Sequence, residues 1–377
     1  MELTIDNKAL TDAVSWAAHS LAARPSVPVL AGLRLLADDA QLTVSGLNYQ
    51  AVTSASAKAD IAAPGTAVVA GRLLSDIVKA LPDGPVHLTL SDAVLQVVGG
   101  PYRYHLQPMS PEDYPTAPDV PQISGHVPGP LLATAVGQVA VAAGRDEALA
   151  SLTGIHLEAE GERLRLVATD RYRLAVCEIP WRPIAATPHT SILVPAKALA
   201  PLMRVLGTSE QVALALPRDT AQGQGLLGVH TSDRTAVLRL LDGEFIAYER
   251  IFPAQYAGHA VFQTAALIDA VKRIALVADR STPVRLVFGD DQITVQAGAL
   301  EVARAQVTLD ARHPAQGMTL AFNPEFLLDG LAALGSAYAR VDYTQPAKPA
   351  VLTALTAPDA EKQHGYRYLV IPVRVAA

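Results

Sequence analysis

Leu10–Val44, LTDAVSWAAHSLAARPSVPVLAGLRLLADDAQLTV, and Leu131–Val167, LLATAVGQVAVAAGRDEALASLTGIHLEAEGERLRLV, are two versions of one pattern. Ala13 matches Ala135, Gly32 matches Gly154 and Leu42 matches Leu164, each pair 122 residues apart with no gap between the anchors. A third version, LIDAVKRIALVADRSTPVRLVFGDDQITV (Leu267–Val295), carries the same Ala-Val pair and ends in a similar Ile-Thr-Val run, with a shorter connecting loop. A second pattern recurs as AGRLLSDIVKALPDGPVHLTL (Ala70–Leu90), PAKALAPLMRVLGTSEQVALAL (Pro195–Leu216) and FNPEFLLDGLAALGSAYARVDY (Phe322–Tyr343). Each copy reads as a helix of about three turns stopped by Gly or Pro, followed by an alternating strand.

Every third of the chain therefore runs helix, strands, helix, strands. The period is far longer than a solenoid repeat, so the copies are whole domains. Boundaries are expected in PEDYPTAPDVPQIS (Pro111–Ser124) and FPAQYAGHA (Phe252–Ala260), giving domains 1–120, 121–254 and 255–377. The strands LRLLAD, LTVSGL, IHLEAE and VRLVFG are short and partly alternating, with tight DD, EGE and GDD turns. That pattern predicts antiparallel sheets and an α+β class, with both helices of a repeat on one side.

Half of the 377 residues are hydrophobic and 18% are charged, which supports folded domains. A net charge of −6 excludes a generally basic DNA-coating protein but leaves room for a local basic surface. The lone cysteine, Cys177, cannot form an internal disulfide, which fits a reducing cytoplasm. It reads as a small buried strand residue. MELTIDNKAL has neither the basic nor the apolar region of a signal peptide, and no run approaches the ~20 apolar residues of a membrane span. A cytoplasmic location is expected.

The search for chemistry yields no catalytic, metal or cofactor site. GQGLLG (Gly223–Gly228) satisfies a dinucleotide fingerprint as text, but it leads into a strand pattern and not a helix. Asp38-Asp39 and Asp290-Asp291 fall in matching turns, and the ten histidines show no ligand spacing. Basic residues are better organised. Lys79, Lys197, Arg204, Lys272 and Arg273 lie on predicted helices, while Arg24, Arg145 and Arg280 follow the first helix of each repeat. Such a surface suits sequence-independent attraction to phosphates. VATDRYRLAVCEIPW (Val167–Trp181) raises a separate question. Its polar run, Asp170 to Arg173, reads either as a plain hairpin turn or as the lip of a site.

Several segments in order resemble the bacterial DNA sliding clamps, the beta subunits of DNA polymerase III, of the actinobacterial type. They are RPSVPVLAGL, VVAGRLLSDIVKALP, VAAGRDEALASLTGIHLE, ATDRYRLAV, ALVADRSTPVRL, FNPEFLLDGL and YRYLVIPVRV. The resemblance implies a head-to-tail homodimeric ring of DNA-clamp domains around duplex DNA, with helices lining the hole. It implies a processivity factor that tethers the replicative polymerase, the clamp loader and repair polymerases through short linear motifs. Ring closure would use Tyr104 and Leu106 against Leu276 and Val277.

The same resemblance makes ATDRYRL one wall of the peptide-binding pocket. Leu152, Thr169, Arg171, Tyr172, Arg173 and Leu174 would form that wall. Ile246, Arg250 and Ile251 would come from FIAYERIFP, and Asn323, Phe326, Ala347 and Pro349 from the third domain. Leu369, Ile371, Pro372, Val373 and Arg374 would complete it from the C-terminal strand. One position departs from the family, which usually has proline where Ile246 stands. Isoleucine restores an N–H and a flexible φ at the rim. Cyclic-peptide inhibitors are implied ligands, and a paralogous clamp tolerant of them is the alternative reading. Two rivals stay open at this level: a hydrolase using Asp170 or Cys177, and a monomeric peptide-binding module.

Overall fold

A computed structural model describes residues 1–22, 24–25, 27–91, 94–185, 189–217, 225–278, 282–299, 303–312, 317–363 and 365–374. The first third contains β1 (Glu2–Asp6), α1 (Asn7–Ala17), β2 (Gly32–Asp38), β3 (Gln41–Leu47), β4 (Ala51–Lys58) and β5 (Asp60–Ala63). It continues with β6 (Gly65–Ala70), α2 (Gly71–Ala80), β7 (Pro85–Leu90), β8 (Leu95–Gly99) and β9 (Tyr102–Leu106). The middle third follows with β10 (Gly125–Pro128), α3 (Gly129–Ala140), β11 (Gly154–Glu160), β12 (Arg163–Thr169), β13 (Arg173–Pro180) and β14 (Arg182–Pro183). Then come β15 (Thr190–Pro195), α4 (Ala196–Leu206), β16 (Gln211–Ala215), β17 (Leu226–His230) and β18 (Arg234–Arg239). The last third has β19 (Gly258–Gln263), α5 (Thr264–Ile274), β20 (Val284–Phe288), β21 (Gln292–Ala299), β22 (Ala303–Asp310) and β23 (Thr319–Phe322). It ends with α6 (Pro324–Leu334), β24 (Tyr338–Tyr343), β25 (Ala350–Leu355) and β26 (Tyr366–Val370).

The expected α+β class and antiparallel pairing hold. So does the repeat: the displacement that carries Gly32 to Gly154 carries β2, β3 and β4 onto β11, β12 and β13, residue for residue. The predicted pattern lacked one element, the short strand before each first helix (β1, β10 and β19).

Two compact units contain these elements. Unit 1 is residues 1–130, 181–190 and 201–240, with a five-stranded sheet β5-β1-β7-β8-β9 and a nine-stranded sheet β14-β10-β16-β17-β18-β4-β3-β2-β6. Unit 2 is residues 131–180, 191–200 and 241–377, with an eight-stranded sheet β15-β11-β12-β13-β26-β25-β24-β19 and a four-stranded sheet β22-β21-β20-β23. The middle repeat thus gives one sheet to each unit. In unit 1 it joins the first repeat through β18 and β4, and in unit 2 it joins the third through β13 and β26.

Helices pack as their apolar stripes require. In unit 1, α1 buries Leu10, Val14 and Trp16, and α2 buries Leu74 and Val78, with the two helices in contact. In unit 2, α5 packs on α6, and α6 lies against β25 and β26. Gly330 permits that last approach, because a Cβ there would fall 2.4 Å from the Tyr368 ring. Gly335, at φ 60, ends α6 in the left-handed conformation. Asp39 and Asp291 also take positive φ, as turn residues.

Candidate peptide-binding groove

The β12–β13 hairpin supplies the first wall, and its turn is fixed by its own side chains. Asp170 Oδ1 accepts from the Tyr172 and Arg173 N–H groups at 3.0 Å each. Thr169 Oγ1 donates to the Arg173 carbonyl at 2.6 Å and accepts from the Arg171 N–H at 3.2 Å. Arg171 is thereby held at φ 79, a conformation that non-glycine residues adopt rarely. The first repeat builds the matching turn alike, with Asn48 Oδ1 accepting from Gln50 and Ala51 N–H.

Arg173 is what makes the second turn a site. Its side chain is only 3% exposed and donates to Asp170 Oδ2 at 2.9 Å and to Asp329 Oδ2, on α6, at 2.6 Å. The guanidinium lies 4.3 Å from the centre of the Phe326 ring. Burial alone would weaken its charge, but Tyr368, Asp329 and Asp170 outweigh that and hold its pKa above the usual arginine value. Tyr172 stacks on Phe326 at 6.1 Å while remaining largely exposed. Phe326 is placed by α6: Asn323 caps the helix, accepting from Glu325 and Phe326 N–H, and Tyr368 Oη donates to the Phe326 carbonyl at 2.8 Å.

A cavity of about 250 Å³ opens between these groups, lined by Gly144, Arg145, Leu149, Leu152, Tyr172, Arg173, Glu325 and Phe326 among others. Beside the hairpin, Leu174, Leu369, Val167, Val176, Val351 and Tyr248 form one apolar cluster, with Phe245, Ile251, Phe252 and Ile371 packed on it. The Phe245–Phe252 segment is tied down by a polar network. Arg165 donates to Glu158, Glu178 and Tyr248, Tyr248 Oη donates to Glu158 at 2.9 Å, and Phe245 stacks on His156 at 4.6 Å. The same segment leaves Ile246 40% exposed.

The structure thus brings together Leu152, Thr169, Arg171, Tyr172, Arg173, Leu174, Ile251, Asn323, Phe326, Leu369 and Ile371. Asn323 serves as a helix cap, and Thr169 is buried in the turn. Arg250 is exposed on the short turn that carries Ile251, and Pro372 is buried while Val373 and Arg374 are exposed beyond β26. Ala347 and Pro349 sit on the β24–β25 loop and are not among the residues that line the cavity. Arg145, expected among the DNA-facing cations, also borders this cavity. It stands at the cavity lip, 3.1 Å from Glu325, with both side chains mostly in water. Sequence reasoning missed Glu325, Asp329 and Tyr368; Asp329 lies three residues after Phe326 on α6, a helical spacing that was available as a signal.

Lys79, Lys197, Arg204, Lys272, Arg273 and Arg24 are exposed, as a phosphate-facing role requires, and Arg280 lies outside the described residues. Strand β9 is a sheet edge, but Leu106 is 3% exposed and turned into the core of its own unit, so it offers a partner only backbone. Leu276 is 84% exposed, while Val277 is half-buried. Cys177 is buried, and that burial pushes its thiol pKa up to about 12, which suits packing and not nucleophilic attack. In the dinucleotide-like text, Leu226–His230 form strand β17, and Gly223 and Gln224 lie outside the described residues. No helix is long and apolar enough to cross a membrane among the described residues.

Three repeated α+β domains, sheets shared between successive repeats and a groove on one hairpin define a clamp-type scaffold. Models of the N-terminal, central and C-terminal domains of the DNA polymerase III beta subunit match residues 1–118, 126–246 and 249–368. The chain belongs to the DNA polymerase III beta subunit family, the bacterial beta sliding clamps. It is 43% identical to the beta sliding clamp of Streptomyces coelicolor over 376 residues, covering 100% of both chains. It is 37% identical to a protein of Streptomyces muensis named beta sliding clamp homolog GriR, covering 99% of each. The crystal structure of a Pseudomonas aeruginosa sliding clamp bound to griselimycin matches with TM-score 0.91 at 26% identity, over 100% of both chains.

Proposed function

We propose that two copies of this chain close head to tail into a ring around duplex DNA and serve as the processivity factor of a bacterial replication apparatus. The ring tethers the replicative polymerase, the clamp loader and repair polymerases by capturing their short linear motifs. It acts in the cytoplasm, needs no cofactor and performs no chemistry of its own. Its domains run 1–120, 121–254 and 255–377.

The observation that carries the reading is the groove of unit 2. An apolar shelf adjoins a small cavity whose back is a fully paired buried arginine and whose rim is an exposed tyrosine. That suits a segment offering a few apolar and aromatic anchors, which docks from disorder with modest affinity and is readily exchanged. The exposed cations Arg24, Lys79, Lys197, Arg204, Lys272 and Arg273 supply weak, non-directional attraction to phosphates. Enclosure has a direct test. The chain, loaded on nicked circular DNA by its clamp loader, stays bound through gel filtration and is lost when the circle is cut. Equal retention on both forms would overturn the reading.

A second reading, an altered clamp that tolerates peptide antibiotics aimed at this groove, draws on Ile246. Proline would fix φ and stiffen the rim, lowering the ordering cost of ligand binding. Griselimycin is then expected to bind the Ile246→Pro variant about tenfold more tightly than the native chain, a difference of about 1.4 kcal/mol. Equal affinities by calorimetry end this second reading and leave the first intact.

A further inference from the structure

Two hairpin turns of this chain are copies of one another, and only one of them is strained. In the first repeat, Asn48 Oδ1 accepts from the Gln50 and Ala51 N–H groups, and the Asn48 N–H donates to the Ala51 carbonyl at 2.9 Å. In the second, Asp170 Oδ1 accepts from the Tyr172 and Arg173 N–H groups, and the Asp170 N–H donates to the Arg173 carbonyl at 3.3 Å. Both turns also serve the junction with the next repeat in the same way. Arg239 N–H donates to Gln50 O at 2.8 Å, and Ile371 N–H donates to Tyr172 O at 2.9 Å.

The residue in the middle differs. Tyr49 has no positive φ, whereas Arg171, at the matching place, stands at φ 79. The unstrained copy makes the same bonds within the turn and across the junction, so neither requires the left-handed conformation. Its cause is local. Thr169 Oγ1 accepts from the Arg171 N–H, and the first repeat has Leu47 at that place, which offers no side-chain acceptor. The other non-glycine residues at positive φ among the described residues are Asp39, Ala40 and Asp291, all short. Arg171 alone sets a long charged side chain on such a stem. Backbone strain of this kind persists because its surroundings hold it, and it collects at binding sites.

This stem borders the cavity of about 250 Å³, where the acids already have partners. Asp170 is bound to Arg173 and to the turn, Glu325 faces Arg145 at 3.1 Å, and Asp146 accepts from the Ala148 N–H at 3.0 Å. Arg173 is held by Asp170 and Asp329. Arg171 lines the same cavity, is exposed, and has no carboxylate partner among the described residues. The first turn of α6, which carries Glu325 and Phe326, brings the positive end of its helix to the same lining. Leu149, Leu152 and Phe326 give the cavity its apolar part, which suits a hydrophobic anchor. A cation without a counter-charge thus stands beside an anchor pocket.

We propose that Arg171 reads an acidic side chain on the captured segment, close to the anchor that fills the cavity. This deepens, and rests on, the peptide-binding reading given above. The segment's carboxylate pairs with the one cation of the lining that lacks a carboxylate. The pinned stem holds the guanidinium at the lip before the segment arrives, which lowers the ordering cost of pairing. A lysine or arginine at the same place in the segment meets like charge. The pair stays in water, so it discriminates by a modest factor and not by orders of magnitude.

A charge scan of a bound peptide tests this. The full-length chain is titrated by fluorescence anisotropy with a labelled, C-terminally amidated peptide that copies the clamp-binding segment of its replicative polymerase. Each position is made in turn Glu and Gln, which have nearly the same shape. At one position or more, the Glu form is expected to bind about fivefold more tightly than the Gln form at low salt, the upper range for an exposed pair. The ratio should shrink as salt is raised. Arg171→Gln should bring it to about one, and Arg171→Glu should favour Lys over Gln at the same position. Such coupling between partners is what a merely structural arginine would not show. A ratio near one at every position in the native chain, or a preference for Glu that survives both variants, overturns the proposal. Peptides that fail to bind the native chain at all sink the groove reading itself. Arg171→Gly is the control on the fold. Freed of a side chain at positive φ, it should unfold at no lower temperature than the native chain while losing the preference for Glu. A lower unfolding temperature assigns the arginine to the fold and overturns the proposal.

Discussion

Arg173 lies almost sealed from water at the back of the groove, yet it is fully used. Two carboxylates and the Phe326 ring surround it, and they come from two places: Asp170 from its own turn, Asp329 and Phe326 from α6. An ion in this setting adds little net stability over an apolar residue but becomes costly when one partner is removed. Its value is positional, since it locks the hairpin wall to the helix that carries the ring. Asp329→Ala leaves Asp170 in place, so the loss should fall below the ~3–5 kcal/mol of a fully orphaned buried charge, at about 2 kcal/mol. Thermal unfolding would show the lower stability, and titration with a clamp-binding peptide should show weakened binding as Phe326 loosens. Unchanged binding would mean the ion pair is structural only. By contrast, the Arg145–Glu325 pair at the lip is exposed on both sides and worth at most about 1 kcal/mol. From sequence, Arg173 was legible as one of four polar residues in a row. Its anchor, 156 residues away, was not, because no local pattern connects a turn to a distant helix face.

At the scale of elements, the repeat was the legible part. The anchors Ala13, Gly32 and Leu42 predict a displacement that the strands β2 to β4 and β11 to β13 obey to the residue. Hydrophobic period marks the helices equally well, since each must bury a stripe on a sheet. The short opening strands escaped because β1, β10 and β19 have only four to six residues, too few for a clear alternation, and pass straight into a helix. The junctions escaped for a different reason. β13 pairs with β26 across more than the length of a whole repeat, and register at that separation is set by buried faces meeting, not by any turn. Resemblance, and not periodicity, pointed to the Phe245–Phe252 segment. The network of Arg165, Glu158, Glu178 and Tyr248 that fixes it is spread over β11, β12 and β13 and shows no sequence motif.

Across the whole molecule, charge decides between two ways of staying on DNA. A protein that grips by neutralising six to ten phosphates releases counterions, and its affinity falls about 10³–10⁵-fold between 50 and 200 mM salt. This chain carries a net charge of −6, and its proposed DNA-facing cations are exposed, Lys79, Lys197, Arg204, Lys272 and Arg273 on helices and Arg24 after the first one. Such a surface attracts weakly and slides; retention must come from topology. Once the clamp is loaded on circular DNA, raising salt over that range should therefore change its dissociation rate by less than about threefold, although the loading step slows. Reversing Lys79, Arg204 and Lys272 to Glu should slow loading and leave the lifetime on closed circles nearly as it was. A lifetime that collapses with salt, or with those three reversals, would make this protein a gripping one, and the enclosure argument would fail with it.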